Sequence, residues 1–365
     1  MDSQIQGLID SSKKIIKDCS LKNGAIVAAN SSKPYFPKEA KYYRFVWPRD
    51  AMYTGIAANI LKINVHEKFF KWCMKAEGWS RTGLFYEKYF INGKKALHHF
   101  QPDQTGSVLI TIFDYYKNNK KSYRKFDKLI KKSANGLCKV WDKDHFNLVA
   151  QDLWEERLCF PDLKENFTYS LTVCCKGLLC ANELIPNKKW VKTAKEMKAV
   201  LLRNKRFFRS FGKLNDERID ASLLGLVWPF ELVKANDKRM VRTVKIIEEK
   251  IVKNFGVYRY ENDDYDGWMY KKGKQNKRFE VLQKGFHRKK GAGYWPLLNF
   301  WMTIYYLEKK NRGKALKYYK KVLNDLKGRK FIPEQIFDNK IQVSVSPLCW
   351  SHSMFLIASK KLGYL

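Results

Sequence analysis

The connections between helical stretches constrain this chain more than any single residue does. Apolar residues recur at helical spacing over about twelve stretches, near residues 3–20, 49–63, 65–78, 103–118, 122–139, 166–185, 189–204, 218–233, 237–254, 292–309, 311–326 and 346–362. In the sixth, Leu171, Cys174, Leu178, Ala181 and Ile185 share one face. Each even stretch runs into the next odd one after about one to four residues, a link that folds two helices back antiparallel. Each odd stretch reaches the next even one only through a long connection of about thirteen to nearly forty residues. The long loops therefore emerge together, ahead of the N-termini of alternate helices. Six such hairpins close naturally into an all-α toroid of inner and outer helices with one elaborated face. Runs such as Gly24 to Ala29 and Leu84 to Ile91 look strand-like but minor.

A core of that size needs apolar residues, and 45% of the 365 residues are hydrophobic and 15% aromatic. No composition shift or low-complexity run divides the chain, so residues 1–365 read as one domain. The N-terminus interleaves Lys13, Lys14 and Lys17 with apolar residues and lacks the unbroken apolar run of a signal peptide. No stretch approaches the roughly 20 apolar residues of a membrane span. The cysteines Cys19, Cys73, Cys138, Cys159, Cys174, Cys175, Cys180 and Cys349 form no paired CxxC pattern, which suits buried reduced thiols in the cytoplasm. The formal charge of +35 raises a nucleic-acid reading. The lysines are dispersed, as in Lys131-Lys132, Lys188-Lys189, Lys271-Lys272, Lys289-Lys290, Lys309-Lys310 and Lys320-Lys321, and no nucleic-acid-binding signature accompanies them. That favours solvated faces over a nucleic-acid partner.

The residues suited to chemistry sit in the long loops. They are Tyr43 to Asp50, with Trp47-Pro48-Arg49-Asp50; His98 to Gly106, with Gln101-Pro102-Asp103-Gln104; and Asp152 to Arg157, with Trp154-Glu155-Glu156. Further along come Arg259-Tyr260-Glu261 with Asp263-Asp264, Gly293-Tyr294-Trp295, Pro333-Glu334-Gln335 and Trp350-Ser351-His352. Loops on one side thus gather Trp, Arg and carboxylate groups, the mixture a sugar needs: aromatic faces for its C–H surface and charged groups for its hydroxyls. Cutting a glycosidic bond also takes one protonated and one ionised carboxyl.

Each signal has a plainer counterpart. Asp50 suits a helix N-terminus by itself. His98-His99 lacks a partner at metal spacing and reads as loop packing. Asp263, Asp264 and Asp266 match a calcium loop only faintly, since the Gly and the closing Glu are out of register. Trp72, Trp79, Trp141, Trp190, Trp228 and Trp301 lie on or beside helices and read as core.

Taken in order, these motifs, with Asp220-Ala221-Ser222-Leu223-Leu224 between them, resemble the glucoamylase-like enzymes of glycoside hydrolase family 15, particularly the prokaryotic branch. The resemblance runs from about Gly24 to Leu362 and implies an (α/α)6 barrel, in agreement with the hairpin count. By the family pattern Glu155 is the general acid and Glu334 the general base. The same pattern makes Glu156, Arg49, Asp50 and Arg259 sugar-binding groups, and Tyr43, Trp47, Trp154, Trp295 and Trp350 pocket aromatics. The implied reaction is an inverting, exo-acting hydrolysis releasing β-glucose from an oligosaccharide, without metal or organic cofactor. Prokaryotic members usually carry an N-terminal β-sandwich domain, whereas here about twenty residues precede the Gly24 segment and read as the first barrel helix. Short α-1,4-linked substrates are expected. Isomaltose-type α-1,6 and trehalose linkages, or a non-catalytic sugar sensor on the same scaffold, are the alternatives.

Overall fold

The computed structural model describes residues 2–119, 121–267, 269–270, 291–339 and 342–365. Its long helices are α1 (Asp2–Cys19), α2 (Pro48–Ile60), α3 (His66–Cys73), α5 (Pro102–Asn119), α6 (Asp127–Val140), α7 (Thr168–Leu184) and α8 (Lys188–Leu202). After these come α9 (Lys238–Lys250), α10 (Pro296–Glu308), α11 (Arg312–Leu326) and α12 (Cys349–Leu362), while α4 (Trp79–Thr82) is a single turn.

Burial separates two classes. On α9 the buried residues are Met240, Thr243, Val244 and Ile247, the single stripe of a helix with one wet face. On α10 every residue from Pro296 to Tyr306 is buried, as only a helix surrounded by protein can be. The inner helices α2, α5 and α7 pack in sequence, a 3-10 segment (Ala221–Leu226) follows α7, and α10 and α12 close the ring back onto α2. Helices α1, α6, α8 and α11 lie against this ring from outside. The result is an (α/α)6 barrel.

Helices buried on all sides leave no water for polar groups, so inner hydroxyls bond their own backbone. Thr54, Thr111, Thr172, Thr303 and Ser353 each donate to the carbonyl four residues earlier, on α2, α5, α7, α10 and α12 respectively. The tightest crossing joins α5 to α7, where a Cβ on Gly177 would stand 2.8 Å from the Gly106 Cα.

Two expectations change. The helix expected at 218–233 shrinks to the 3-10 segment Ala221–Leu226. Asp220 caps it through the Ser222 amide at 2.7 Å, and Pro229 has no N–H to extend an α-helical ladder. The strand-like runs 24–29 and 84–91 form only isolated bridges, Ser20 to Ile26, Val46 to Tyr89 and Tyr89 to Lys95. The β-structure lies elsewhere, in two-residue antiparallel pairs. One of them, Ala150–Gln151 with Leu158–Cys159, supports the loop bearing Glu155.

All eight cysteines are buried and unbridged. Trp72, Trp79, Trp141, Trp190 and Trp301 are buried in the core and Trp228 packs against it, as read from the sequence. The lysine pairs at 131–132, 188–189, 309–310 and 320–321 fall on different elements, whereas Lys271-Lys272 and Lys289-Lys290 lie outside the described residues. Among the described residues, no helix is long and apolar enough to cross a membrane.

Candidate active site

The inner helices start on one face, and their first residues line it. Trp47 and Trp295 each cap an inner helix whose first residue is proline, α2 and α10 respectively. Proline there gives up only an amide that had no helical partner. This chemistry fixes where each chain enters its helix and so aims the neighbouring side chains.

Arg49 sits one residue into α2 and is almost fully buried. Its Nη1 donates to Gln101 Oε1 and to Asp103 Oδ2, both at 3.0 Å, and its Nε lies 3.6 Å from Asp50 Oδ1. Ser170 on α7 donates to the other Asp103 oxygen at 3.0 Å, tying three inner helices together. Burial pushes the Asp50 carboxyl up to about 6, against the pull of Arg49. The guanidinium lies 5.7 Å from the centre of the Trp350 ring. Arg49 Nε, Asp50 Oδ1, Trp350 Nε1 and Trp295 Nε1 are buried without a hydrogen-bond partner in the protein.

Glu155 lies at the turn between the paired strands 150–151 and 158–159. Asp152 shapes that turn: its Oδ1 accepts from the amides of Glu156 at 2.8 Å and Arg157 at 3.0 Å, and its Oδ2 accepts from Arg209 at 2.6 Å. The bend leaves Glu155 at φ +65°, a left-handed conformation that an L-residue holds only when its surroundings impose it. The Glu155 carboxyl accepts from Trp47 Nε1 at 2.5 Å and from Lys88 Nζ at 3.1 Å. Lys88 also pairs with Glu87 at 2.9 Å, and Glu87 with His99 Nδ1 at 2.7 Å. Desolvation raises Glu155 to about 7 against the lowering charge of Lys88. Its side chain nevertheless keeps 26% of its surface accessible, so a ligand can reach it.

Glu334 comes from the loop before α12. Its Oε2 accepts from Tyr43 Oη at 3.0 Å, and Tyr43 in turn meets Tyr265 Oη at 2.6 Å. Desolvation is the main cause that lifts this carboxyl to about 8, with Tyr43 and Arg259 pulling it down and the charges of Asp50 and Glu155 adding to the rise. Glu155 and Glu334 thus lie within electrostatic reach, and neither is an ordinary ionised carboxylate. By these pushes alone the more basic carboxyl is Glu334, the reverse of the order that the family roles suggest.

Glu156 points away from Glu155. It binds Arg259 Nη2 at 2.7 Å and accepts from Tyr260 Oη. Arg259 is clamped by Asp263 at 2.8 and 2.7 Å and lies over the rings of Trp154, Trp295 and Tyr265 at 5.3, 5.1 and 4.8 Å. Trp154 is held by Asp220 Oδ2 at 2.9 Å. Asp263 is therefore the partner of Arg259, and His99 is the partner of Glu87.

The structure brings Tyr43, Trp47, Arg49, Asp50, Trp154, Glu155, Glu156, Arg259, Trp295, Glu334 and Trp350 to this one face through linked contacts. Sequence reasoning missed Lys88, Glu87 and Tyr265, which touch these groups directly, and Arg209, which joins Asp152 to Asp220 at 2.6 and 3.4 Å. Lys88 lies in a run that reads as a strand, where only its neighbour Glu87 hints at anything but solvent.

Residues 6–360 match Glycosyl hydrolases family 15. An uncharacterised glycosyl hydrolase from Methanocaldococcus jannaschii is 30% identical over 367 residues, which is 92% of this chain and 52% of that protein. The chain thus spans about half the length of the curated relative that it matches. A wild-type glycosidase structure superposes with a TM-score of 0.77 at 18% identity, covering 100% of this chain and 98% of the other. A bacterial glucoamylase complexed with acarbose gives 0.72 at 19% identity, covering 97% of this chain and 55% of the other. At these identities the structural likeness speaks for the barrel. The chain belongs to glycosyl hydrolase family 15.

Proposed function

We propose that the enzyme removes single glucose units from the non-reducing end of short α-1,4-linked oligosaccharides by one inverting displacement. The observation that carries this reading is the pair of desolvated carboxyls, each gripped by one aromatic donor: Glu155 by Trp47 and Glu334 by Tyr43. Glu155 gives its proton to the glycosidic oxygen. Glu334 takes a proton from a water that attacks the anomeric carbon from the opposite side, and β-glucose leaves. Such a pair stands roughly 6.5–9.5 Å apart, with room for the water between. Tyr43 occupies one oxygen of Glu334 and leaves the other for that water.

Substrate entry corrects the proton order. A glycosidic oxygen arriving at Glu155 takes the place of the Lys88 ammonium, removing the charge that favours an ionised Glu155. Water arriving beside Glu334 hydrates its carboxylate and lowers its proton affinity. Both changes move the shared proton to Glu155. Arg49 and Asp50, whose Nε and Oδ1 face each other at 3.6 Å without a hydrogen bond, offer a donor and an acceptor to the hydroxyls of the terminal glucose and close the pocket to longer chains. A glycosidase of the same fold has been solved in complex with glucose, and a bacterial glucoamylase with acarbose, which supports a glucose-type ligand here.

The test is glucose release from maltose, maltotriose, isomaltose and trehalose, with the anomer of fresh product read by proton NMR. Early β-glucose, fastest from the α-1,4 sugars, is expected. Early α-glucose rules out single displacement, and preference for isomaltose or trehalose replaces the linkage.

A further inference from the structure

Trp350 turns its ring toward Arg49, while the next two side chains, Ser351 and His352, turn to the loop that carries Glu334. Ser351 Oγ donates to the Pro333 carbonyl at 2.9 Å, and the Ile332 amide donates to His352 Nε2 at 3.0 Å. The Leu348 amide closes the same contact by donating to the Ile332 carbonyl at 3.1 Å. Ile332, Ser351 and His352 are fully buried, so water cannot stand in for these partners. An amide can only donate, so Nε2 is the bare nitrogen of a neutral ring and Nδ1 carries the proton. Nδ1–H then donates to Ser12 Oγ on α1 at 2.8 Å, and Ser12 donates to the Leu8 carbonyl at 2.7 Å. Every donor in that chain meets an acceptor. Burial agrees, because it pushes the imidazole pKa down to about 3 and keeps the ring neutral where carboxyls near 7 and 8 titrate.

This network bears on the reaction, which here rests on Glu334 being the general base. The base must hold one carboxyl oxygen against the attacking water, and Glu334 does so from a loop rather than from a helix. Ile332 stands two residues before it, joined through Pro333, whose ring fixes φ and takes away one freedom of the link. A shift at the Ile332 amide therefore passes on to the Glu334 carboxyl. We propose that His352 is a positioning residue for the general base, anchoring Ile332 through Nε2 and tying the base loop to the outer helix α1 through Ser12. The anchor needs an acceptor at the Nε2 position. Glutamine can place its Oε1 there, whereas asparagine reaches only as far as Nδ1.

The experiment measures kcat and KM for glucose release from maltose in wild type, His352→Gln and His352→Asn, each made also in Glu334→Gln protein. His352→Asn should lower kcat about ten- to hundredfold, as misplacing a catalytic group by roughly 1 Å does, with KM within about twofold. His352→Gln should hold kcat within about threefold, because Ile332 keeps its acceptor. With Glu334 already replaced, His352→Asn should cost less than about twofold more, since a residue acting through the base has nothing left to position. Equal kcat in the two His352 variants, or the same loss in both backgrounds, overturns the proposal. Should His352→Asn fail to fold, Ser12→Ala takes its place: it frees the ring and should lower kcat about three- to tenfold, again only where Glu334 is present. If wild type releases no glucose from maltose, maltotriose, isomaltose or trehalose, the hydrolytic reading fails, and amide hydrogen exchange over residues 331–336 reads the anchor by itself. Faster exchange in His352→Asn than in wild type and His352→Gln supports the positioning of this loop; equal exchange in the two variants overturns it.

Discussion

Lys88 sets its ammonium 3.1 Å from Glu155 Oε2 and 2.9 Å from Glu87 Oε1, so the carboxyl expected to donate a proton rests against a cation. A cation there favours the ionised form, while desolvation favours the neutral one. Desolvation is the larger effect and leaves Glu155 near 7. Replacing Lys88 with methionine removes the opposing pull and keeps much of the stem. Activity requires one proton on the pair, and that proton is lost as pH rises. The alkaline limb of the kcat/KM profile should therefore move up by roughly one pH unit in Lys88→Met, while Lys88→Arg keeps the wild-type limb. An unmoved limb in Lys88→Met sinks the electrostatic coupling.

The wild-type profile follows from the same pair. With Glu155 raised to about 7 and Glu334 to about 8, both are protonated at low pH and no base remains. Well above both values, both are ionised and no acid remains. The pair titrates as a unit, so the bell should centre near neutral or slightly alkaline pH, not at the acidic pH that two ordinary carboxylates impose. Steady-state rates across pH 4 to 10 check this, and an optimum near pH 4 contradicts the desolvated pocket.

Removing either carboxyl while keeping its shape separates catalysis from folding. Glu155→Gln and Glu334→Gln should each lose about 10²–10⁴ in kcat, the usual share of general acid–base catalysis. Melting temperature should hold or rise, because each change removes a carboxyl that burial makes costly to ionise. Wild-type-like turnover in either variant removes the role assigned to that residue.

The ring of helices was legible because apolar residues recur at helical spacing and the links between helices alternate in length. The same reasoning failed at 218–233, where apolar residues keep helical spacing but Gly225 and Pro229 deny them the backbone. Arg49, Asp50, Glu155 and Glu334 were legible as polar residues bunched with aromatics in long loops. Lys88 and Tyr265 were not, since a lysine beside a glutamate and a tyrosine in an acidic loop are common on any surface. What makes them part of the site is the loop-to-loop pairing of Val46 with Tyr89, and of Tyr43 with Tyr265 across 222 positions.

The glycine contact between α5 and α7 carries a stability prediction independent of chemistry. A methyl at Gly177 would meet the Gly106 backbone at 2.8 Å, and backbone cannot move aside as a side-chain tip does. Gly177→Ala should cost about 1–3 kcal/mol despite alanine's better helix propensity. A denaturation midpoint equal to wild type, or above it, removes the close crossing as a constraint.

Arg49→Ala should damage both stability and sugar binding, and pH separates the two. In the native protein Arg49 faces Asp103 at 3.0 Å and Asp50 at 3.6 Å, all three buried. Without it, two carboxyls remain inside with no cation, a loss of about 3–5 kcal/mol. Burial already raises both carboxyls above their unfolded values, and removing Arg49 raises them further. A group whose folded pKa lies above its unfolded one stabilises fully below the unfolded value and loses that contribution as pH rises through the folded value. The variant should therefore be least stable, relative to wild type, at pH 8 and recover much of the difference at pH 5. Adding Asp103→Asn should restore stability at pH 8 by removing a charge that no longer has a partner. It should not restore sugar binding, because the Arg49 donor facing the pocket is still missing. Urea midpoints at the two pH values, with glucose binding measured on the double variant, decide the matter. If the double variant binds glucose as wild type does, Arg49 is a structural cation and not a contact for the terminal sugar.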